Sequence, residues 1–322
     1  MPTLHLVHQG ARLRIRSGRL LLTDRDGEEL QSVPARKVRR VVVHGNVGLT
    51  TPAFVYLLKR GAEIAFISTD GRLYGLASSW PWPSPERIAR QLSFSSSPRA
   101  LEVAKEIVRA KLSSQLEYLR RRGLPASELG WGKELLRRVQ HARDLDRLRG
   151  LEGLGSRLYF RTMALRHPNL GFEARRRRPP KDTVNAALSY AYAILLSVAL
   201  SAVTHAGLHP EIGVLHATGR RRPSLALDLM EEFRVPVVDI PIFSAFFQGE
   251  LKRTDALVAE RGVMLTEQAK RVVISRVERR LASPSPRGVT YLELVFHQAE
   301  RLGGAIVHGK AYQAFSLSGD RR

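Results

Sequence analysis

Residues 1–77 alternate short apolar runs with turn signals. Leu4 to Val7, Leu20 to Leu22, Val38 to Val43 and Ile64 to Ile67 are separated by Gln9-Gly10, Asp26-Gly27, His44-Gly45-Asn46 and Asp70-Gly71. Runs this short, bounded by glycine and asparagine, predict strands. One short helix should interrupt them. Thr50-Thr51-Pro52 supplies an N-cap and an early proline, Ala53 to Lys59 the body and Gly61 the stop. The segment from Ser78 to Pro85, SSWPWPSP, places three prolines within five residues. That density argues against regular structure, so residues 78–89 are expected to link two domains.

Beyond the linker the spacing becomes helical. From Pro98 to Arg122, Leu101, Ala104, Val108, Leu112, Leu116 and Leu119 form one stripe; Leu135, Val139, Ala142, Leu145, Leu148 and Leu151 form a second that runs into Glu152. Thr183 to about Ala206 is uncharged and predicts a central buried helix. Pro223-Ser224 should cap another helix, with Leu225, Leu229 and Phe233 on its inward face. Further helices are expected around Glu267 to Leu281 and Tyr291 to Leu302. The pattern therefore predicts an α+β protein, with a β-rich N-terminal domain over 1–77 and a larger all-α domain over 90–322.

Composition narrows the partners. The 322 residues suffice for two separate cores, and 43% hydrophobic with 25% charged residues is ordinary for a soluble protein. The net charge of +22 is not ordinary, and it is carried by 43 arginines against nine lysines. Arginine binds phosphate in a planar, bidentate way, so the bias points to nucleic acid, with GC-rich coding or adaptation to heat as the bland explanation. Cysteine is absent, which excludes disulfides, thiolate zinc sites and a cysteine nucleophile and fits a reducing cytoplasm. The N-terminus lacks the apolar core of a signal peptide. Thr183 to Pro210 contains no Asp, Glu, Lys or Arg, but its Ala- and Ser-rich composition suits a core helix better than a membrane span.

Candidate chemistry concentrates in His209 to Arg234, HPEIGVLHATGRRRPSLALDLMEEFR. His216 stands fifteen residues ahead of Glu231, and Asp228, Glu231 and Glu232 fall within one helical turn. Imidazole and carboxylates form a ligand set for Mn²⁺ or Mg²⁺. Arg220, Arg221 and Arg222 lie inside this span, and Arg175, Arg176, Arg177 and Arg178 precede the uncharged helix; both runs suit phosphate. Glu152 is a further candidate, because Gly155 shares its helix face and would let a ligand or backbone approach. Each feature also has a plainer explanation: a core histidine, a solvated acidic cluster, arginine loops in water, a surface glutamate near a helix break. Other chemistries are excluded. His205 and His209 have zinc-protease spacing, but Ala206 replaces the needed glutamate and Gly207 and Pro210 spoil the helix. Neither Gly132-Lys133 nor Gly309-Lys310 belongs to a phosphate-binding Walker loop.

Several motifs in order resemble the Cas1 family of CRISPR-associated spacer-acquisition integrases. They are Pro34…Val38…Val41-Val42-Val43-His44-Gly45, then Leu57…Gly61-Ala62-Glu63-Ile64-Ala65-Phe66…Gly71, and Glu152-Gly153…Tyr159-Phe160. Arg177-Arg178-Pro179-Pro180-Lys181-Asp182-Thr183-Val184-Asn185, Gly207 to His216 and Ser224 to Arg234 complete the set. The resemblance implies that Glu152, His216 and Glu231 ligate a catalytic Mn²⁺ or Mg²⁺, with Asp228 in support. It also implies a DNA endonuclease and integrase that inserts short foreign DNA into a CRISPR array, a 3′-hydroxyl or water attacking a phosphodiester in line. The implied partners are double-stranded DNA (protospacer and repeat), a second copy of the chain paired through the β-rich domain, and a small Cas2 dimer bridging two such pairs. Ser114 departs from the asparagine usual in the family, and the triple arginine at 220–222 is richer than usual. A non-catalytic DNA-binding scaffold and an unrelated metal-dependent RNase are the alternatives.

Overall fold

In the computed structural model, which describes residues 3–79, 82–176, 179–219, 221–259 and 262–318, the short apolar runs at the N-terminus form strands. They are β1 (Thr3–Leu6), β2 (Arg12–Arg16), β3 (Arg19–Thr23), β4 (Glu29–Pro34), β5 (Arg40–His44), β6 (Gly48–Leu49), β7 (Glu63–Ile67) and β8 (Leu73–Ala77). One sheet runs β1-β5-β7-β8, the other β4-β3-β2-β6. In the first, β5 pairs in parallel with both β1 and β7 and is buried at every position. A strand covered on both faces needs no polar alternation, which is why Val41 to Val43 is an unbroken apolar run. By contrast β2 alternates, with Leu13 buried between exposed Arg12 and Arg14. Helix α1 (Thr51–Lys59) follows β6, and Ala53 and Leu57 join Leu6, Leu20, Val43 and Ile64 in one core.

The chain divides into two compact units, Met1–Pro81 and Trp82–Arg322. The prolines of the expected linker do not exclude helix: α2 runs from Pro85 to Ser95. Pro85 occupies the first turn, where no N–H is needed, and the Ser84 hydroxyl accepts from the Arg87 N–H at 3.3 Å. The expectation of irregular chain through residue 89 is thereby corrected.

The second unit contains α3 (Pro98–Arg121), α4 (Gly130–Gln140), α5 (Leu145–Arg166), α6 (Thr183–His205), α7 (Ser224–Phe233), α8 (Ile240–Phe247), α9 (Glu267–Ala282) and α10 (Tyr291–His308). The stripe predicted as continuous from Leu135 to Leu151 is two helices. Asp144 breaks it by turning its carboxylate onto the Arg147 N–H at 2.7 Å, starting α5 afresh. Uncharged α6 is the centre of the unit: 83% of its most apolar window is buried, and α7, α9 and α10 pack on it. A hairpin, β9 (Ala256–Ala259) with β10 (Gly262–Leu265), interrupts the helices and is absent from the sequence expectation. Its four-residue strands are too short to show a period. Between α7 and α8 the chain takes a π-helical turn over Arg234–Asp239 around Pro236, which has no N–H to offer an α-helical bond. The Pro236 carbonyl instead accepts from Arg280 Nε at 2.7 Å.

Candidate active site

Helix α3 packs against both α5 and α7, and this three-helix contact brings together residues far apart in the chain. Lys111 projects from α3, Glu152 from α5 and Glu231 from α7. The Lys111 ammonium pairs with Glu152 Oε1 and, at 2.7 Å, with Glu231 Oε2. Arg234, three residues on from Glu231 and carried by the π-helical turn, donates its Nε to the same Glu231 Oε2 at 2.7 Å. The Arg234 guanidinium also lies 4.7 Å from the centre of the Tyr192 ring. Burial pushes the Glu231 carboxyl up, but Arg234, Lys111 and His216 outweigh it and hold the group well below the ordinary carboxylate range. Glu152 follows the same logic: burial, the largest single influence, raises it, but the charge and hydrogen bond of Lys111 together with the Arg234 charge bring the net shift downward despite nearby Glu231. The Ser156 hydroxyl adds a bond to Glu152 Oε1 at 3.1 Å.

His216 arrives on the loop between α6 and α7. Gln91 of α2 fastens the start of that loop, donating to the carbonyls of His209 and Ile212 and accepting the His209 N–H. Arg149, one turn before Glu152 on α5, donates to the Leu215 carbonyl at 2.7 Å. The strongest clamp is Asp228, fully buried on α7. One oxygen accepts from the Val214 and Leu215 N–H groups at 2.6 and 3.0 Å; the other accepts the His216 N–H at 2.9 Å and lies 2.6 Å from His216 Nδ1. With Nδ1–H donated to this carboxylate, Nε2 is the nitrogen whose lone pair can bind a ligand. Asp228 spends its own lone pairs on the loop and acts by orienting His216. Gly213 makes the loop possible, because a Cβ there would sit 2.8 Å from Asp228 Oδ2 and from the His216 carbonyl oxygen. Ser224 does not cap α7 as expected; its hydroxyl donates back to the Ala217 carbonyl at 2.7 Å.

The acidic turn is not one solvated cluster. Asp228, Glu231 and Glu232 are all buried, and each faces a different neighbourhood. Glu232 points away from Glu231, accepting from the Gln298 amide at 2.8 Å, the Phe315 N–H at 2.6 Å and the Tyr312 hydroxyl. Nor does Gly155 open a path to Glu152: a Cβ there would run into Leu112 of α3, so this glycine admits a helix and not a ligand.

Of the arginines expected to touch DNA, Arg177, Arg178 and Arg220 lie outside the described residues. Arg176, Arg221 and Arg222 are exposed. Arg175 is used internally, donating to Asn185 Oδ1 at 2.9 Å and Ser189 Oγ at 3.0 Å. That side chain braces the N-terminal turns of α6 while also lining the groove described next. Sequence reasoning missed three others. Arg157 and Arg161 of α5, with Arg253, line a groove of about 1140 Å³ whose lining also includes Glu152, Arg175 and Arg176. Lys111 and Arg234 were missed as well. Arg234 was within reach of the i, i+3 pattern from Glu231, whereas Lys111 is 41 residues from Glu152 and only the packing of α3 unites them.

Among the described residues, no three His, Asp or Glu side chains are gathered tightly enough to hold a metal ion as they stand. The donor chemistry nevertheless fits one. Two carboxylate oxygens already share a single cationic nitrogen, and an oriented imidazole leaves Nε2 as its ligand position.

Residues 4–279 match the family model described as CRISPR associated protein Cas1. A CRISPR-associated endonuclease Cas1 of Thermus thermophilus is 47% identical over 98% of this chain and 99% of its own length. A Cas1 protein from Thermotoga maritima has the same fold, with a TM-score of 0.84 at 24% identity over 98% of this chain and 100% of that one. A casposase bound to its integration product matches with a TM-score of 0.84 at 20% identity, over 100% of this chain and 96% of the other.

Proposed function

Because the chain belongs to the Cas1 family, we propose that it is a DNA endonuclease and integrase that inserts short foreign DNA into a CRISPR array. The observation that carries the reading is the meeting of Glu152 and Glu231 on one cationic point, beside a histidine whose Nδ1 is occupied by Asp228. Glu152, Glu231 and His216 Nε2 would hold Mn²⁺ or Mg²⁺, which when bound supplies a Lewis acid for in-line attack on a phosphodiester by a 3′-hydroxyl or water.

The remaining work falls to this chain's own residues. Arg234 and Lys111 keep both carboxylates ionised at neutral pH. Asp228 fixes the tautomer and direction of His216. Arg157, Arg161, Arg176 and Arg253 offer phosphate contacts along the groove that Glu152 also lines. The family resemblance supports double-stranded DNA as substrate, pairing of two copies through the β-rich unit, assembly with Cas2 and a cytoplasmic setting.

Strand transfer of short duplexes into supercoiled repeat DNA tests the reading. Activity is expected with Mn²⁺ or Mg²⁺ and no ATP, lost in EDTA, and lost in Glu152→Gln and His216→Ala while DNA binding persists. The rival is a non-catalytic DNA-binding scaffold, favoured by the ammonium that stands between the two glutamates. Binding without cleavage or transfer in any divalent metal would establish that rival.

A further inference from the structure

We propose that Lys111 is a positioning residue that sets how tightly this site takes a divalent cation, gathering the two glutamates with its own charge and opposing the ion that shares them. The inference rests on the reading of Glu152 and Glu231 as metal ligands.

The Lys111 side chain is 3% exposed, and its ammonium pairs with Glu152 Oε1 and Glu231 Oε2 together. Arg234 adds a second positive charge on the same Glu231 oxygen. Two carboxylates are thus faced by two cations, and buried Asp239 also feels the charges of Arg234 and Lys111. An ordinary divalent-ion site draws its ion with uncompensated carboxylates. Here an ion bound by Glu152 and Glu231 must take oxygens that already serve an ammonium, and it must do so within a few ångströms of two like charges. Repulsion at that range is strong in a water-poor interior. The same ammonium brings α5 and α7 carboxylates, 79 positions apart in the chain, to a common point. It therefore organises the ligands and weakens their hold on the ion at once.

These two roles predict a direction that a merely structural lysine would not. Removing the charge leaves Glu152 and Glu231 facing each other with one cation fewer. A divalent ion then relieves their repulsion and meets less of its own. Lys111→Met should bind Mn²⁺ more tightly than the unaltered chain, by roughly tenfold or more. Lys111→Arg should stay within about threefold of the unaltered chain, since the charge is kept. The metal-free thermal midpoint of Lys111→Met should fall, and saturating Mn²⁺ should restore it.

Calorimetric titration of the full chain with Mn²⁺ alone, without DNA, reads these affinities independently of activity. Lys111→Gln serves in place of the methionine variant if circular dichroism shows that the latter fails to fold. Equal or weaker Mn²⁺ binding in folded Lys111→Met or Lys111→Gln overturns the proposal. Adding Glu231→Ala to Lys111→Met must abolish the gain; a persisting gain would place the ion elsewhere and overturn it too. If neither the unaltered chain nor any Lys111 variant binds Mn²⁺, the metal reading itself fails, an outcome separate from equal binding by both.

Discussion

Two faces of α7 carry adjacent buried glutamates with opposite electrostatic fates. Glu231 looks toward Lys111 and Arg234 and is held below the ordinary carboxylate range. Glu232 looks toward Tyr312, Gln298 and the Phe315 N–H, and burial pushes it up to about 7 although all three donate to it. A helix turns about 100° per residue, so neighbours in sequence are sent to different environments. Burial penalises the charge of both groups; Glu231 meets Lys111 and Arg234 at contact distance, whereas the contacts of Glu232 are neutral donors. What differs is whether the carboxylate is kept charged to act or serves as a neutral-leaning anchor. For Glu232 the anchored element is the C-terminal segment, which Ser114 on α3 also holds by accepting the Leu317 N–H at 3.1 Å.

The largest effect should come from exchanging the two positions one at a time. Glu231→Gln removes a charge from the proposed ligand set and should reduce DNA cleavage and strand transfer by about a thousandfold or more, the rate equivalent of several kcal/mol of lost electrostatic stabilisation. Glu232→Gln keeps the shape, its carbonyl oxygen can still accept from Gln298 and Phe315 while its amide donates to the Tyr312 oxygen, and it should stay within about threefold of the unaltered activity. Single-turnover rates on a labelled branched substrate measure both. Comparable losses in the two variants would show that the faces of α7 are not functionally distinct.

That contrast was only half legible beforehand. The run of Asp228, Glu231 and Glu232 identifies an acidic turn, and periodicity marks Leu225, Leu229 and Phe233 as its inward face. Periodicity cannot reveal that the whole helix is enclosed, because the outer positions are covered by α3, α10 and the C-terminal segment, elements fixed by long-range packing. The β-rich unit was more transparent. Its strands are local events bounded by glycine turns, and Val41 to Val43 declares its burial through composition alone. Prolines misled at Ser78 to Pro85, because the same residue that ends regular structure also opens α2. The pairing of Lys111 with two glutamates left no local signature at all.

The second effect concerns pH. The Glu232 carboxyl titrates near 7 in the folded chain against 4.5 ordinarily, so between those values the folded chain keeps a proton that the unfolded chain has released. Stability from this group is therefore fully present below about 4.5 and lost as pH rises through about 7. Glu231, shifted downward, works the other way, contributing above its ordinary range and losing that contribution only in acid. Urea midpoints from about pH 5 to 8 should decline in the unaltered chain and decline less in Glu232→Gln, the difference being on the order of 2–3 kcal/mol. Some decline should survive in the variant, because buried Asp239, beside the Tyr192 hydroxyl, is itself pushed up to about 6. Parallel slopes in the two proteins would mean that Glu232 is not protonated as its surroundings imply.

The smallest effect concerns a second pair of neighbours with different surroundings, among the arginines of the groove. Arg175 and Arg176 are adjacent, as Glu231 and Glu232 are. Arg175 braces Asn185 and Ser189 and lies 5.3 Å from the Tyr192 ring centre, whereas Arg176 is exposed with Arg157, Arg161 and Arg253 along the groove. A guanidinium that already satisfies protein acceptors releases few counterions when DNA arrives. One facing solvent releases them in full, and each phosphate contact adds about one to the slope of log affinity against log salt. Replacing Arg157, Arg161 or Arg253 by alanine should accordingly lower that slope by about one each, uniformly across DNA sequences. Arg175→Ala should barely move the slope and should instead cost about 1–3 kcal/mol of stability, the penalty for the buried polar partners it leaves behind. Binding isotherms at several salt concentrations, paired with urea melts, separate the two behaviours. A full-unit slope change in Arg175→Ala without loss of stability would return that residue to the phosphate-binding set and remove the distinction.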